Sequence, residues 1–389
     1  MSVPATVRAD VEALAALERR SASPGELASA HWCAQRLAAA GARDVELASY
    51  RYQHTFGHAH AALFATAALG RLPAAAALLG FELDYSGRSQ PLRRLLPASE
   101  GANVVARLPV ADAGRISAPM LPRSAQRAGA RERRGRTLVL VAHHDAAHTG
   151  LMWHPRLAEA GAGRDGRLPF SLLPELAMAA TALGPRRLRW PARAVLALAA
   201  ALSLQVARGA TVPGASDNAT GVAAAIALVE RLIADPLPDT EVVCLLPGSE
   251  ESGMGGMAAW LATEGAALDP ARTLVLGLDT LGAGEPIALS AEGPLWRVRY
   301  RAQELALADA GAARAGRPAP RRYRLGGWTD PVLARLAGLP ALSLLSLRGD
   351  VFNDYHRPSD TPDRVDWESV VACLDIAEGV AREWAGTGR

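Results

Sequence analysis

Four apolar, strand-like runs in this 389-residue chain each lead into side chains that can bind metals or move protons. TLVLVA (137–142) runs into His143, His144 and Asp145, and EVVCLL (241–246) reaches Glu250 and Glu251 through Pro-Gly-Ser. TLVLGL (273–278) ends at Asp279, and PALSLLSL (340–347) precedes His356 by a short loop. A fifth element, GASDNATG, sets Asp217 in a glycine-bounded turn ahead of an apolar helix. Taken singly, a strand-end aspartate reads as a cap or turn former, a Glu-Glu pair as solvated surface and a buried histidine as a satisfied core residue. The conjunction says more. Imidazole and carboxylate without thiolate suit catalytic zinc or another divalent metal. Glu250-Glu251 is the most informative pair, because adjacent carboxylates repel unless something positive divides their roles. One binding a metal and the other exchanging a proton with an activated water would do so.

Such residues need a scaffold that brings strand ends together. In open α/β sheets, ligands bind at the carboxyl ends of the strands. Further strands are predicted at 44–53 and 102–110, and two helices within 5–41 around SASPGE, the second opened by Ser23 and Pro24. Helices are also predicted at 219–234, 253–264, 295–313, 330–337 and 367–384. This alternation predicts one α/β domain over 1–389, a three-layer α/β/α sandwich with a mostly parallel mixed central sheet. Three stretches read as insertions: apolar helical segments at about 55–95 and 150–212, and an Arg/Pro-rich loop at 111–136. Each apolar segment is expected to form a helical hairpin. The two are expected to pack together near the site with part of their apolar surface exposed.

Composition narrows the class. Half of the residues are hydrophobic and 21% are charged, which excludes a mainly disordered chain. All 42 basic residues are arginine, and the net charge of +3 gives no reason to expect nucleic acid. Cys33, Cys244 and Cys373 are too few and too far apart for a disulfide framework or a thiolate metal cluster. The N-terminus lacks the apolar core of a signal peptide, so a cytoplasmic protein is expected. The apolar runs fall short of a clean membrane span. For 55–81 and 168–207, peripheral or re-entrant membrane contact stands as the alternative to mutual packing. Nothing in the sequence sets the oligomeric state.

The ordered motifs AHHDA, GASDNATG, GSEESGMGG, GLDTLG and DYHRPSDTPDRVD resemble the di-zinc aminopeptidase and glutaminyl-cyclase family of the zinc exopeptidase superfamily. SASPGELASAHWCAQRLAAAGARDVEL is similar to that family's opening helix and strand, and GGWTDPVLARLAGLPALSLL to the block before its last histidine. The resemblance spans most of 5–385 and fails in the three insertions. It implies that Asp217 bridges two zinc ions, that His143 and Asp279 complete one shell and that Glu251 and His356 complete the other. It also implies that Glu250 is the general base and that Asp145 orients His143, as metal-bound histidines commonly require. The implied reaction is hydrolysis of a peptide's N-terminal bond by a zinc-activated water. Asp330 and Trp328 are candidates for substrate contact, with a helix cap and plain core as their respective alternatives. Strand alternation turns His144 away from the site. His148 and His154 are expected to be solvent or lid residues. His54, His58 and His60 are expected at a helix edge or membrane interface, and Pro358 to Pro362 as a rigid turn fixing His356. Two other functions compete, a single-zinc glutaminyl-cyclase-like acyltransferase and a non-catalytic receptor-like or scaffolding relative. A cyclase has little need of His143 with Asp279, and non-catalytic relatives lose ligands, whereas this chain keeps all five and the base.

Overall fold

A computed structural model describes residues 3–108, 135–157, 172–352 and 354–386. The Arg/Pro-rich stretch at 111–134 and residues 158–171 of the second apolar segment lie outside them.

Among the described residues, the centre of the molecule is a mixed sheet of nine strands. Its heart is four parallel neighbours in the order β4 (Thr240–Leu246), β3 (Arg136–Val141), β5 (Thr273–Leu278) and β9 (Ala341–Leu347). They are the continuous apolar runs of the sequence, as expected of strands covered on both faces. On one flank β2 (Ser99–Arg107) and β1 (Arg43–Tyr52) add antiparallel. On the other, β6 (Glu285–Glu292) lies antiparallel to β9 and to β7 (Val298–Arg299), and parallel to β8 (Arg321–Leu325). The expected sandwich is present, with its parallel pairing concentrated in the central four strands.

Alternate residues of each central strand enter different cores. Leu138 and Leu140 face one side with α1 (Ala5–Ala15), α2 (Pro24–Ala39), α7 (Thr220–Ala234), α9 (Ala302–Arg314) and α11 (Trp367–Gly386). Val139 and Val141 face the other with α8 (Gly255–Thr263) and α10 (Pro331–Leu336). As expected, Ser23 opens α2, its hydroxyl accepting from the Gly25 and Glu26 amides at 3.1 and 3.3 Å with Pro24 in the first turn. The helix expected over 295–313 starts only at Ala302, because residues 298–299 pair with β6 instead.

The two apolar segments build a third core away from the sheet. The first forms α3 (Gly57–Leu69) and α4 (Arg71–Tyr85), and the second α5 (Leu172–Leu183) and α6 (Arg186–Val206). Phe64, Ala77 and Phe81 of the first interlock with Met178, Ala192 and Leu196 of the second. Gly57 sits where α3 packs closely on α6: a Cβ there would lie 2.3 Å from the Ser203 carbonyl oxygen, so only glycine fits. At the far end the Arg71 side chain donates to the Ala182 carbonyl at 2.9 Å, holding the α3–α4 turn against the α5–α6 turn. Among the described residues no helix is long and apolar enough to cross a membrane.

Candidate active site

Parallel neighbours end on one edge of a sheet. The segments leaving β4, β3, β5 and β9 therefore deliver Glu250 and Glu251, His143, Asp279 and His356 to one place. Asp217 arrives from the turn before α7. Gly214 enters that turn with φ +62°, and a Cβ on it would lie 2.5 Å from the Asp217 carbonyl oxygen.

Asp217 is the centre of the cluster. Its Oδ1 lies 3.2 Å from His143 Nε2 and its Oδ2 3.2 Å from His356 Nε2. Asp279 Oδ1 is 3.9 Å from His143 Nε2, and Glu251 Oε2 is 3.0 Å from His356 Nε2. The short approaches to His356 Nε2 lack hydrogen-bond geometry, leaving that nitrogen and Glu251 Oε1 buried without a hydrogen bond. Ligand atoms aimed at a shared point, rather than at each other, leave this pattern. Donors of His143, Asp217 and Asp279 converge within 4.8 Å, as do those of Asp217, Glu251 and His356 and those of His143, Glu250 and Glu251.

The electrostatics agree. Burial lifts the Glu251 carboxyl to about 7 against the pull of His356. It lifts Asp279 to about 6 with Asp217's charge adding, and Glu250 well above the usual range. Burial would lower His356, but the Glu251 and Asp217 charges raise it to about 10. Asp217 is buried too, yet the two imidazoles hold it below the ordinary carboxylate range. Two imidazoles thus face a surplus of carboxyl groups. Divalent cations would relieve that repulsion, and the donor set of nitrogen and carboxylate oxygen fits zinc.

Asp145 does more than the sequence implies. Its Oδ1 lies 3.3 Å from His143 Nδ1, close enough to pair with that ring but without hydrogen-bond geometry. The same carboxylate accepts from the Glu250 and Glu251 amides at 3.1 and 3.2 Å, and from the Ser21 hydroxyl at 2.6 Å. It therefore ties the end of β3 to the Glu-Glu loop. Further supports have no visible sequence signal, because they act on backbone groups. The Arg19 guanidinium, fully buried, donates to the carbonyls of His144, Pro213 and Gly214. Asp360 accepts from the Ser216 and Asp217 amides at 2.8 and 3.1 Å, so the 358–362 turn braces Asp217 directly. Glu26 accepts from the Ser249 amide and hydroxyl at 2.8 and 2.9 Å, just before Glu250. Asn218 accepts from the Thr280 amide at 3.1 Å, fixing the backbone beside Asp279.

The remaining sequence candidates separate. His144 bonds Ala102 and Ser29, away from the site, as alternation implies. His154 is exposed. His148 corrects the expectation of a solvent or lid residue: it is buried, and its ring contacts the carbonyls of Gly209 at 2.8 Å and His54 at 3.2 Å. That stitches the base of both apolar segments to the loop after β3. His60 is buried beside Asp84, inside an aromatic cluster with Phe56, Phe81 and Tyr85.

A cavity of about 350 Å³ opens over the cluster. Asp217, Glu250, Glu251, Asp279 and His356 form its floor, and Phe64 and Phe81 of the third core line its far wall with Leu198 and Leu202 of α6. Trp328 lines it as well. Asp330 is absent from the lining; it is buried, makes no capping bond to α10, and both its oxygens lack hydrogen-bond partners. Trp153 and Tyr355, neither of them a sequence candidate, clamp His356. Tyr355 stacks at a ring separation of 3.7 Å and Trp153 meets it edge-on at 4.4 Å.

Comparison with known proteins gives a consistent picture. Residues 192–381, a little under half of the chain, match the model of peptidase family M28. This is the family that the ordered motifs resemble. The match contains Asp217, Glu250, Glu251, Asp279 and His356, and starts after His143 and Asp145. No curated protein matches the sequence. Among solved structures, LapB from Legionella pneumophila superposes with a TM-score of 0.57 at 13% identity, covering 99% of this chain and 72% of that one. BSAP, a zinc aminopeptidase from Bacillus subtilis, gives 0.56 at 14%, covering 97% and 94%. Bacteroides thetaiotaomicron glutaminyl cyclase bound to N-acetylhistamine gives 0.54 at 13%, covering 97% and 98%. At such identities the likeness is one of fold.

Proposed function

We propose that this chain, with its family M28 match and zinc-aminopeptidase-like fold, is a metal-dependent aminopeptidase that cleaves the N-terminal bond of peptides. The observation that carries the reading is the division of Asp217, one carboxylate oxygen 3.2 Å from each of two histidines. His143, Asp217 and Asp279 would hold one zinc ion, and Asp217, Glu251 and His356 the other. When bound, such a pair polarises a carbonyl and makes a water acidic enough to attack near neutral pH.

The chain's own residues supply the rest. Glu250 faces the cavity, and burial pushes its carboxyl well above the usual carboxylate range. It would take a proton from the attacking water and hand it to the leaving amine. Asp145 would keep that carboxylate in place through the Glu250 amide and orient His143 at the same time. The apolar wall of Phe64, Phe81, Leu198 and Leu202 would receive a large apolar side chain of the substrate. A single-zinc cyclase would leave His143 and Asp279 without a task, although the fold brings them within 3.9 Å of each other.

Metal analysis of the purified protein, run beside a panel of aminoacyl amides, tests the reading. Two ions per chain, loss of activity with chelators and fastest turnover of apolar amides are expected. One tightly bound ion at full activity would overturn it in favour of the cyclase.

A further inference from the structure

The four-helix cap over the cavity has an outer surface that the active site does not explain. Helices α3 to α6 contain three carboxylates, Glu82, Asp84 and Glu175, and all are buried. Arginine supplies the exposed charge, at Arg71, Arg186, Arg187 and Arg193. Beside these cations stand Leu69, Leu72, Leu183 and Trp190, each between 75 and 84% exposed. Their placement is not scattered. Leu69 and Leu72 flank the α3–α4 turn, while Leu183 and Trp190 flank the α5–α6 turn, and the Arg71–Ala182 hydrogen bond joins the two turns. The tip of the cap is therefore a cluster of large apolar side chains ringed by arginines, with no exposed carboxylate on its four helices.

We infer that this tip docks the protein on the surface of an anionic lipid bilayer. Leucine and tryptophan would enter the boundary between headgroups and acyl chains, and the arginines would meet the lipid phosphates and carboxylates. Positive charge without an opposing carboxylate selects this occupant, since a second copy of the cap would bring arginine against arginine. The contact is interfacial, in keeping with helices too short and polar to span. Leu198, 60% exposed on α6, also lines the catalytic cavity, so the cavity reaches the same helix that carries Trp190. The inference does not depend on how the active site is read.

Co-sedimentation of the full-length protein with vesicles provides the test. Binding is expected to vesicles of mixed phosphatidylserine and phosphatidylcholine, with far weaker binding to phosphatidylcholine alone and loss at high salt. The double variant Arg186→Glu/Arg187→Glu should weaken binding at least about tenfold. Leu72→Ser/Leu183→Ser/Trp190→Ser should abolish it while far-ultraviolet circular dichroism and metal content stay unchanged, because these side chains face solvent. Equal binding of wild type and the triple variant would overturn the inference. So would a dimer in sedimentation equilibrium that the triple variant dissolves, since the tip would then be covered by a second chain.

Discussion

A carboxylate that serves two histidines cannot be replaced without loss to both, which sets Asp217 apart from Glu250. Among the described residues Glu250 forms no ion pair with either imidazole, although its carboxylate comes within 4.8 Å of His143, and its amide is held by Asp145 at 3.1 Å. Glu250→Gln should therefore bind metal as the parent does and lower kcat by roughly 100-fold or more, read by steady-state kinetics beside metal analysis. Glu251→Gln should behave in the opposite manner, losing metal, because its Oε2 approaches His356 at 3.0 Å. Near-normal turnover in Glu250→Gln would show that the two roles are exchanged. Asp145→Asn tests a support: an amide nitrogen in place of one oxygen cannot accept from both Glu250 and Glu251. Metal affinity should fall by about 10- to 100-fold, measured by competition with a chromogenic chelator. The chemistry-bearing residues were readable from sequence because histidine and carboxylate at the ends of buried strands are unusual by type and position. Asp360, Arg19 and Glu26 were unreadable. Their partners are backbone groups more than 100 residues away, and no local pattern records such a pairing.

Elements show the same division. Strands covered on both faces announce themselves as apolar runs, whereas β8, with the sequence RRYRL, carries three arginines and exposes most of them. Its pairing to β6 is tertiary in origin, so propensity could not reveal it. The cap's anchor was equally hidden. Arg93 chelates the Asp84 carboxylate at 2.8–3.0 Å and also donates to the Ser252 carbonyl, next to Glu251, so the end of α4 is fastened to the Glu250–Glu251 loop. Burial alone would raise Asp84, but Arg93 and His60 bring it down to about 2. A folded-state value below the ordinary 3.8 means stability that is complete above that pH and lost as pH falls towards 2. The amount is about 2 kcal/mol. Urea midpoints of the parent should drop over that acid window, and Arg93→Met should remove most of the drop while lowering stability at neutral pH. A parent curve flat between pH 4 and pH 2 would contradict the role of this pair.

At the scale of the molecule, two segments far apart in sequence make one object. Phe64 and Phe81 from the first are covered by Met178 and Leu196 from the second. Removing 172–206 behind a short Gly/Ser linker should therefore not leave a clean catalytic core. It should leave an apolar α3–α4 face that binds a hydrophobic dye and drives association, seen by fluorescence and light scattering. A monodisperse, dye-silent variant would show that the two hairpins do not depend on each other. The sequence showed that both segments were helical and apolar, and led to the expectation that they pair. It could not show that Arg71, Gly57 and His148 fix how they meet, since those contacts are made to carbonyls or by close backbone approach.

The interlocking of the hairpins also has a timetable. The ribosome finishes α4 about 120 residues before it finishes α6. At 5–20 residues per second, that interval is roughly 6–24 s. For most of it, every nascent chain carries Phe64 and Phe81 without their partners, so the early hairpin is the stretch on which a chaperone or a neighbouring nascent chain would first take hold.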